Sequence, residues 1–426
     1  MLSVVLLTML AGFLLGIPVA ITLGLASLSY FFMNPGLPMV NIPLRFVTGA
    51  ESYTLMAIPL YMLAGNIMNS TGVTDKIFRF TRALVGHYTG GTAQVNILAS
   101  FIFSGMSGSA LADASGVGKV LIKAMVDEGY DVEFSAAVTG ASATIGPVFP
   151  PSIPMVLIGG VAGISVGKLF IGGIIPGIML AVYMMVLVYL ISKKRNYPKR
   201  SKANLPELGK EFWGALPALS TPVVILGGIL GGLFTPTEAG VVAVFYALVI
   251  GIFVYKQRDF GKIFQMFVDT AKGTASIMFI VGAAYSLAWV FSKEQVGMLL
   301  TDGITALSSN PTVVLILILL GFLAAGCVLN PSANIIIFVP MLMPLVMSVG
   351  IDLVHFGVLA TLVLMIGLVT PPLGLSMFII CEITGLTTMQ FTKGMLIFFV
   401  ALLAVVVTMI FFPATITWLP QVIIGG

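Results

Sequence analysis

The pattern along this chain is set by long apolar runs rather than by amphipathic alternation, and no charged side chain occurs in the first 33 residues. The runs at 169–192, 274–291 and 394–412 are each near the roughly 20 residues a helix needs to cross the hydrocarbon core of a bilayer. Other apolar stretches are interrupted at their centres by glycine, proline and serine. The chain from 91 to 123 reads as two short helices meeting at the tip SGMSGSALAD, and 312–340 reads the same way around GCVLNPSAN. Two further segments carry Gly-x-x-x-Pro-Pro, one from Gly146 to Pro151 and one from Gly367 to Pro372. Consecutive prolines remove amide donors, and their rings clash with the preceding turn at about 3 kcal/mol or more. Helices are therefore expected to stop near Gly146 and Gly367 and to restart at the prolines, whose fixed φ suits a first turn. The pattern predicts an all-α polytopic membrane protein with re-entrant helical hairpins at 92–122 and 312–347 and broken helices at 134–160 and 353–381.

The two sets are copies of each other. At a constant offset of 221, the segment starting at Glu128 aligns without a gap with that starting at Val349, bringing together Gly129 and Gly350, Asp131 and Asp352, Gly146 and Gly367, and the two Pro-Pro pairs. Upstream the same offset matches Phe101 with Phe322 and Gly105 with Gly326. The chain then divides into a first repeat, 1–191, a basic linker, 192–213, and a second repeat, 214–426.

Composition sharpens this picture. With 58% hydrophobic and 8% charged residues, most of the chain has lipid as its solvent. The 20 Lys and Arg residues cluster most densely in the linker SKKRNYPKRSKANLPELGKEFW, which the positive-inside rule places in the cytoplasm. Threading outward puts Lys76, Arg79, Arg82, Lys119, Lys123, Lys256, Arg258, Lys262, Lys272 and Lys393 on the same side, leaving Arg45, Lys168 and Lys293 outside and both termini in the periplasm. The arm TDKIFRFTRAL carries three basic residues, whereas its counterpart SKEQVGMLLTDGITAL carries one, so the repeats are expected to be inverted. Inverted repeats with interrupted helices at matched positions point to a secondary transporter with its site at the midplane. The uncharged N-terminus lacks the basic region of a cleavable signal and reads as membrane segments.

Non-helical backbone at membrane depth is tolerated only inside protein or beside a wet cavity, and a bound ion can satisfy it. Asn330 followed by Pro331 reads as a helix cap with proline in the first turn, and Ser107 or Ser109 would cap the matching helix. Opposing carbonyl ends suit sodium, while helix starts and hydroxyls would have to hold a carboxylate, since no Lys or Arg falls at that depth. Asp113, just past the first tip, is a functional candidate by its position. Asp131 and Asp352 read as caps, and Glu238 in FTPTEAG as a first-turn residue. The GMSG sequence around Ser107 leaves an alternative, an intramembrane serine protease, but His87 in the cytoplasmic arm and His355 near the outer surface are badly placed to act as its base. A channel or facilitator is a third reading. GVGKV at Gly116 lacks the elements of a phosphate-binding loop, and the lone thiols Cys327 and Cys381 suggest neither a disulfide nor a metal site.

FSGMSGSALADASGVGKVLIKAM, AAVTGASATIGPVFPPSIPM, FTPTEAG and GLVTPPLGLSMF together resemble the large membrane subunit of tripartite ATP-independent periplasmic transporters, over nearly the full chain. The resemblance implies an elevator-type, sodium-coupled importer of an organic acid in the bacterial inner membrane. It implies no enzymatic activity, no cofactor beyond sodium as coupling ion, and two partners: a small four-helix membrane subunit and a soluble periplasmic binding protein. Family substrates include C4-dicarboxylates and sugar acids such as sialic acid, and the SGSALADASG tip looks more like the sugar-acid branch. Carried over residue by residue, one sodium would lie among Ser104, Ser107, Ser109, Gly146, Val148 and Pro150. A second would lie among Gly326, Cys327, Asn330, Gly367, Thr370 and Pro371. The substrate would sit between the tips, near Ser107, Ser109, Asp113, Ser152, Asn330, Ser332, Asn334 and Ser376.

Overall fold

The computed structural model describes residues 1–257 and 259–425; Arg258, one of the cations threaded to the cytoplasm, and Gly426, the end of the second repeat, lie outside the described residues. Among the described residues the chain is all helical. Six helices are long and apolar enough to cross a membrane: Val166–Arg195, Leu205–Leu230, Pro236–Val254, Phe260–Lys293, Pro331–Ser348 and Thr388–Phe411. The linker is shorter than its hydrophilic sequence suggests. Asn204 caps a helix by accepting from the Glu207 amide at 2.8 Å, so residues from Leu205 onward are already helical.

The first hairpin has an entering limb, Gly91–Ser107, and a returning limb that starts as Ala110–Ser115 and continues past Gly116 as Val117–Asp127. Between the limbs Gly108 has φ +58°, and a Cβ there would stand 2.4 Å from the Pro151 carbonyl oxygen, so the turn requires glycine on both counts. That turn leaves Ser107 inside the entering limb and makes Ser109 the cap, its hydroxyl accepting from the Ala112 amide at 3.3 Å. The second hairpin consists of Pro311–Gly326 and Pro331–Ser348, and the Asn330 carboxamide oxygen accepts from the Ala333 amide at 2.8 Å. Ser109 and Asn330 are one repeat offset apart, so both returning limbs begin in register.

Each broken helix has a leading and a trailing half: Val132–Ala143 and Ile153–Ala162 in the first, Leu353–Leu368 and Leu375–Thr384 in the second. The restarts fall beyond the Pro-Pro pairs rather than at them. In the first break Ser152 is the cap, accepting from the Met155 amide at 3.2 Å with Pro154 in the first turn, so the prolines belong to the loop. Asp352 caps its helix through the His355 amide at 2.8 Å. Its counterpart Asp131 sits at the cap position without making that bond, because Arg195 draws its carboxylate into an ion pair at 2.7 Å, joined by the Tyr197 hydroxyl.

The same packing occurs twice. Each entering limb lies against the leading half of its own broken helix, and each trailing half lies against the returning limb of the other hairpin. Each leading half also packs on the long helix that follows the other break, Val132–Ala143 on Thr388–Phe411 and Leu353–Leu368 on Val166–Arg195. The two halves are therefore interlocked around an apolar core to which both contribute, beside a second, smaller cluster around Phe103, Met106 and Leu121.

Candidate functional site

The tips meet the breaks through backbone. The Ile153 amide donates to the Gly108 carbonyl at 3.4 Å in the first half, and the Leu373 amide donates to the Cys327 carbonyl at 3.0 Å in the second. Gly367 and Gly326 touch so closely that a Cβ on Gly367 would lie 2.6 Å from the Gly326 carbonyl carbon, whereas a Cβ on Gly146 would meet Ser109 backbone at an ordinary 3.5 Å. Backbone thus meets backbone at both crossings, tightly at the second and at ordinary contact distance at the first.

The side chains expected near sodium are mostly turned to their own helices. The hydroxyls of Ser104 and Thr370 donate to the carbonyls of Phe101 at 2.5 Å and Ile366 at 2.6 Å, and the Cys327 thiol donates to the Leu323 carbonyl at 3.1 Å. The Ser107 hydroxyl faces the Ser109 amide at 3.5 Å. The Val148 carbonyl packs on Gly173, whose Cβ, if present, would stand 2.2 Å from that oxygen. The first crossing is closed, with Ser104, Ser107, Gly146, Val148 and Pro150 all buried. At the second, Gly326 and Gly367 are buried, Cys327, Asn330 and Thr370 half-buried and Pro371 exposed, while Ser109 at the first is half-buried.

Between the tips lies a cavity of about 180 Å³. The first hairpin and break contribute Gly108, Ser109 and Pro147, the second hairpin Pro331 and Ser332, and Met62 and Ile277 close it from the surrounding helices. Among the described residues no Lys or Arg lines it. The starts of three helices, at Ser109, Ile153 and Pro331, border it, so its polar character comes from hydroxyls and free amides. Of the expected substrate residues, Ser109 and Ser332 line this cavity, while Ser107, Asp113, Ser152, Asn330, Asn334 and Ser376 do not. Asp113, Asn334 and Ser376 instead carry buried oxygens that lack a hydrogen-bond partner, and the Ser152 hydroxyl donates to the Pro147 carbonyl. Met62, Ile277, Met365 and Leu368 are lining residues with no sequence signal, since an apolar residue facing a cavity reads like one facing lipid. A larger cleft of about 620 Å³, bordered by Arg45, Tyr285, Trp289 and Met341, shares no residue with the tips.

No serine–histidine pair accompanies Ser107. The buried His355 ring binds the Met409 carbonyl through Nε2 at 2.9 Å, and His87 stacks on Tyr88 with ring centroids 4.2 Å apart. Neither histidine is placed to serve Ser107 as a base.

The family model described as "Tripartite ATP-independent periplasmic transporter, DctM component" matches residues 6–415. The sialic acid TRAP transporter permease protein SiaT of Haemophilus influenzae (strain 86-028NP) is 40% identical over 96% of this chain and 67% of its own length. The sialic acid TRAP transporter large permease protein SiaM of Vibrio cholerae is 39% identical over 96% of each. The C4-dicarboxylate TRAP transporter large permease protein DctM of Vibrio cholerae is 32% identical over 97% of this chain and 96% of its own. Among solved structures, the Alcanivorax borkumensis YdaH transporter aligns with a TM-score of 0.62 at 15% identity, covering 86% of this chain and 87% of that one, a likeness of fold alone.

Proposed function

This chain belongs to the DctM family of tripartite ATP-independent periplasmic transporters, the large permease component, and on that premise we propose that it imports an organic acid by sodium symport with an elevator movement. It is a multi-pass inner-membrane transporter subunit, not an enzyme. The observation that carries the proposal is the cavity of about 180 Å³ between the tips, bordered by Ser109, Ser332 and three helix starts. The cavity is smaller than the roughly 300–1,000 Å³ of ordinary ligand pockets, so a sugar acid would enter only when the tips part.

In this reading the interlocked hairpins and broken helices form the moving body, and the remaining spans with the basic arms form a scaffold that holds a small membrane subunit. The domain division at 1–191, 192–213 and 214–426 follows the inverted repeats, with the linker cytoplasmic and both termini periplasmic. One sodium sits where Ser104 to Ser109 meets Gly146 to Pro150, the other where Gly326 to Asn330 meets Gly367 to Pro371, with backbone carbonyls as the main ligands. The substrate is delivered by a periplasmic binding protein. Sialic acid or another sugar acid is favoured, because the sialic acid permeases are near 40% identical and the C4-dicarboxylate permease 32%. The test is uptake into liposomes holding this chain with both partners. An inward sodium gradient should drive accumulation of sialic acid from its binding protein; uptake indifferent to sodium would sink the coupling, and uptake without the binding protein would favour a facilitator.

A further inference from the structure

Asp113 is 1% exposed, and among the described residues neither of its carboxylate oxygens has a partner within hydrogen-bond geometry. Nor does it line the tip cavity. It faces the hydroxyl of Ser100 at one end of a wholly buried polar chain: Ser100 Oγ donates to Ser142 Oγ at 3.1 Å, Ser142 Oγ donates to Asn96 Oδ1 at 3.3 Å, and Asn96 Nδ2 donates to Thr139 Oγ1 at 2.7 Å. The group that faces Asp113 is thus a neutral hydroxyl, whose proton Ser142 also draws on, and no cationic side chain among the described residues balances the carboxylate. A bare carboxylate in such a place is very costly unless something positive accompanies it. Among the described residues no Lys or Arg pairs with it. The ionisable side chains on the helices packed against it are Lys119, Lys123 and Asp127 on Val117–Asp127, Glu133 on the leading half, and Cys381 and Glu382 on the second trailing half. Lys119, Lys123, Asp127 and Glu382 are exposed, Glu133 is half-buried, and Cys381 is buried.

The second half supplies the comparison. One offset on, Asp113 becomes Asn334, which is also buried with an orphan oxygen. Its surroundings differ: Asn96, Ser100, Thr139 and Ser142 become Leu317, Gly321, Ala360 and Val363. The backbone is repeated, and the polar pocket is not. We infer that Asp113, Ser100, Ser142 and Asn96 hold a monovalent cation, sodium or the proton, at a site apart from both tip crossings and from the substrate cavity. The inference rests on the transport reading only in taking the chain to be ion-coupled.

The experiment reads ion binding without substrate or binding protein. The chain, purified with the small membrane subunit, is melted across a sodium chloride titration balanced with choline chloride, at pH 6 and pH 8, as wild type, Asp113→Asn and Ser142→Ala. If sodium occupies the pocket, both variants raise a sodium midpoint by about tenfold, the consequence of losing one charged or hydroxyl ligand. If the proton does, the sodium titrations are unchanged, but the pH dependence of wild-type melting is lost in Asp113→Asn and displaced in Ser142→Ala. Variants that fold and match wild type in both responses overturn the site. Should Asp113→Asn fail to fold, Ser142→Ala and Ser100→Ala, which keep the acid, decide alone. A wild-type protein indifferent to sodium would refute the sodium coupling proposed above, and the pH arm would still judge this pocket.

Discussion

Adding one methyl group at three glycines should give three different results. At Gly367 a Cβ would lie 2.6 Å from the carbonyl carbon of Gly326 and 2.8 Å from its Cα and its oxygen, about 1 Å inside the optimum for nonbonded carbons. All three obstacles are backbone atoms, so no side chain can swing aside and the crossing itself must open. Overpacking of this kind costs about 1–3 kcal/mol, offset by the roughly 0.5–1 kcal/mol that alanine gains over glycine within a helix. Gly367→Ala should therefore destabilise by about 1–2 kcal/mol. Gly326→Ala, across the same contact, meets Gly367 Cα at 3.4 Å and Leu364 at 3.5 Å, and Gly146→Ala meets Ser109 at 3.5 Å. Both fit, and each should stay within about 0.5 kcal/mol of wild type. Thermal melting of the detergent-purified protein ranks the three, and sodium titration of the melting temperature adds the functional reading: only Gly367→Ala should raise a sodium midpoint, by spreading the carbonyls of the second crossing. The reasoning is refuted if Gly326→Ala costs as much as Gly367→Ala, or if Gly367→Ala melts and responds to sodium like wild type.

Ser109→Ala removes a helix cap at about 1 kcal/mol, whereas Ser109→Gly costs only a few tenths; both take a hydroxyl from the cavity, so both should raise the KM of uptake while only the alanine lowers the melting temperature. Ser332→Trp puts an indole into the cavity of about 180 Å³; uptake should fall to background with sodium-dependent stabilisation kept, and normal uptake would remove the cavity from the substrate path. Asp131→Asn breaks an ion pair whose side chains are 54% and 50% exposed; exposed pairs of this kind contribute up to about 1 kcal/mol, so melts should show a small loss in low salt that disappears in high salt, with uptake unchanged.

The breaks were readable from sequence because two adjacent prolines forbid a continuous helix wherever they stand. Where the helices resume was not, since that depends on which nearby group reaches the first free amides, and Ser152 does so from beyond the prolines. The same limit explains the first tip, where Ser107 and Ser109 were equal candidates until the left-handed turn at Gly108 put one inside the helix and left the other to cap it. Asp131 and Asp352 look alike by local chemistry, yet Arg195, 64 residues away, captures Asp131. Met62 and Ile277 belong to the cavity through contacts that no local pattern records.

The repeat offset carries information in its mismatches as well as its matches. Positions that agree, such as Ser109 with Asn330 as caps and Gly146 with Gly367 at the breaks, lie near where the backbone leaves or enters a helix, although the contact at Gly367 is much closer than that at Gly146. Positions 96, 100, 139 and 142 disagree with 317, 321, 360 and 363 in one direction only, polar in the first half and apolar or glycine in the second. Under the proposed sodium symport, backbone carbonyls at the crossings would serve in both halves whatever the side chains are. Side-chain oxygens around a buried carboxylate are a separate provision, made once. A polar pocket present in only one of two matching packings makes the halves electrostatically distinct, and substitutions at equivalent positions, Asp113→Asn against Asn334→Ala, should differ in their ion response.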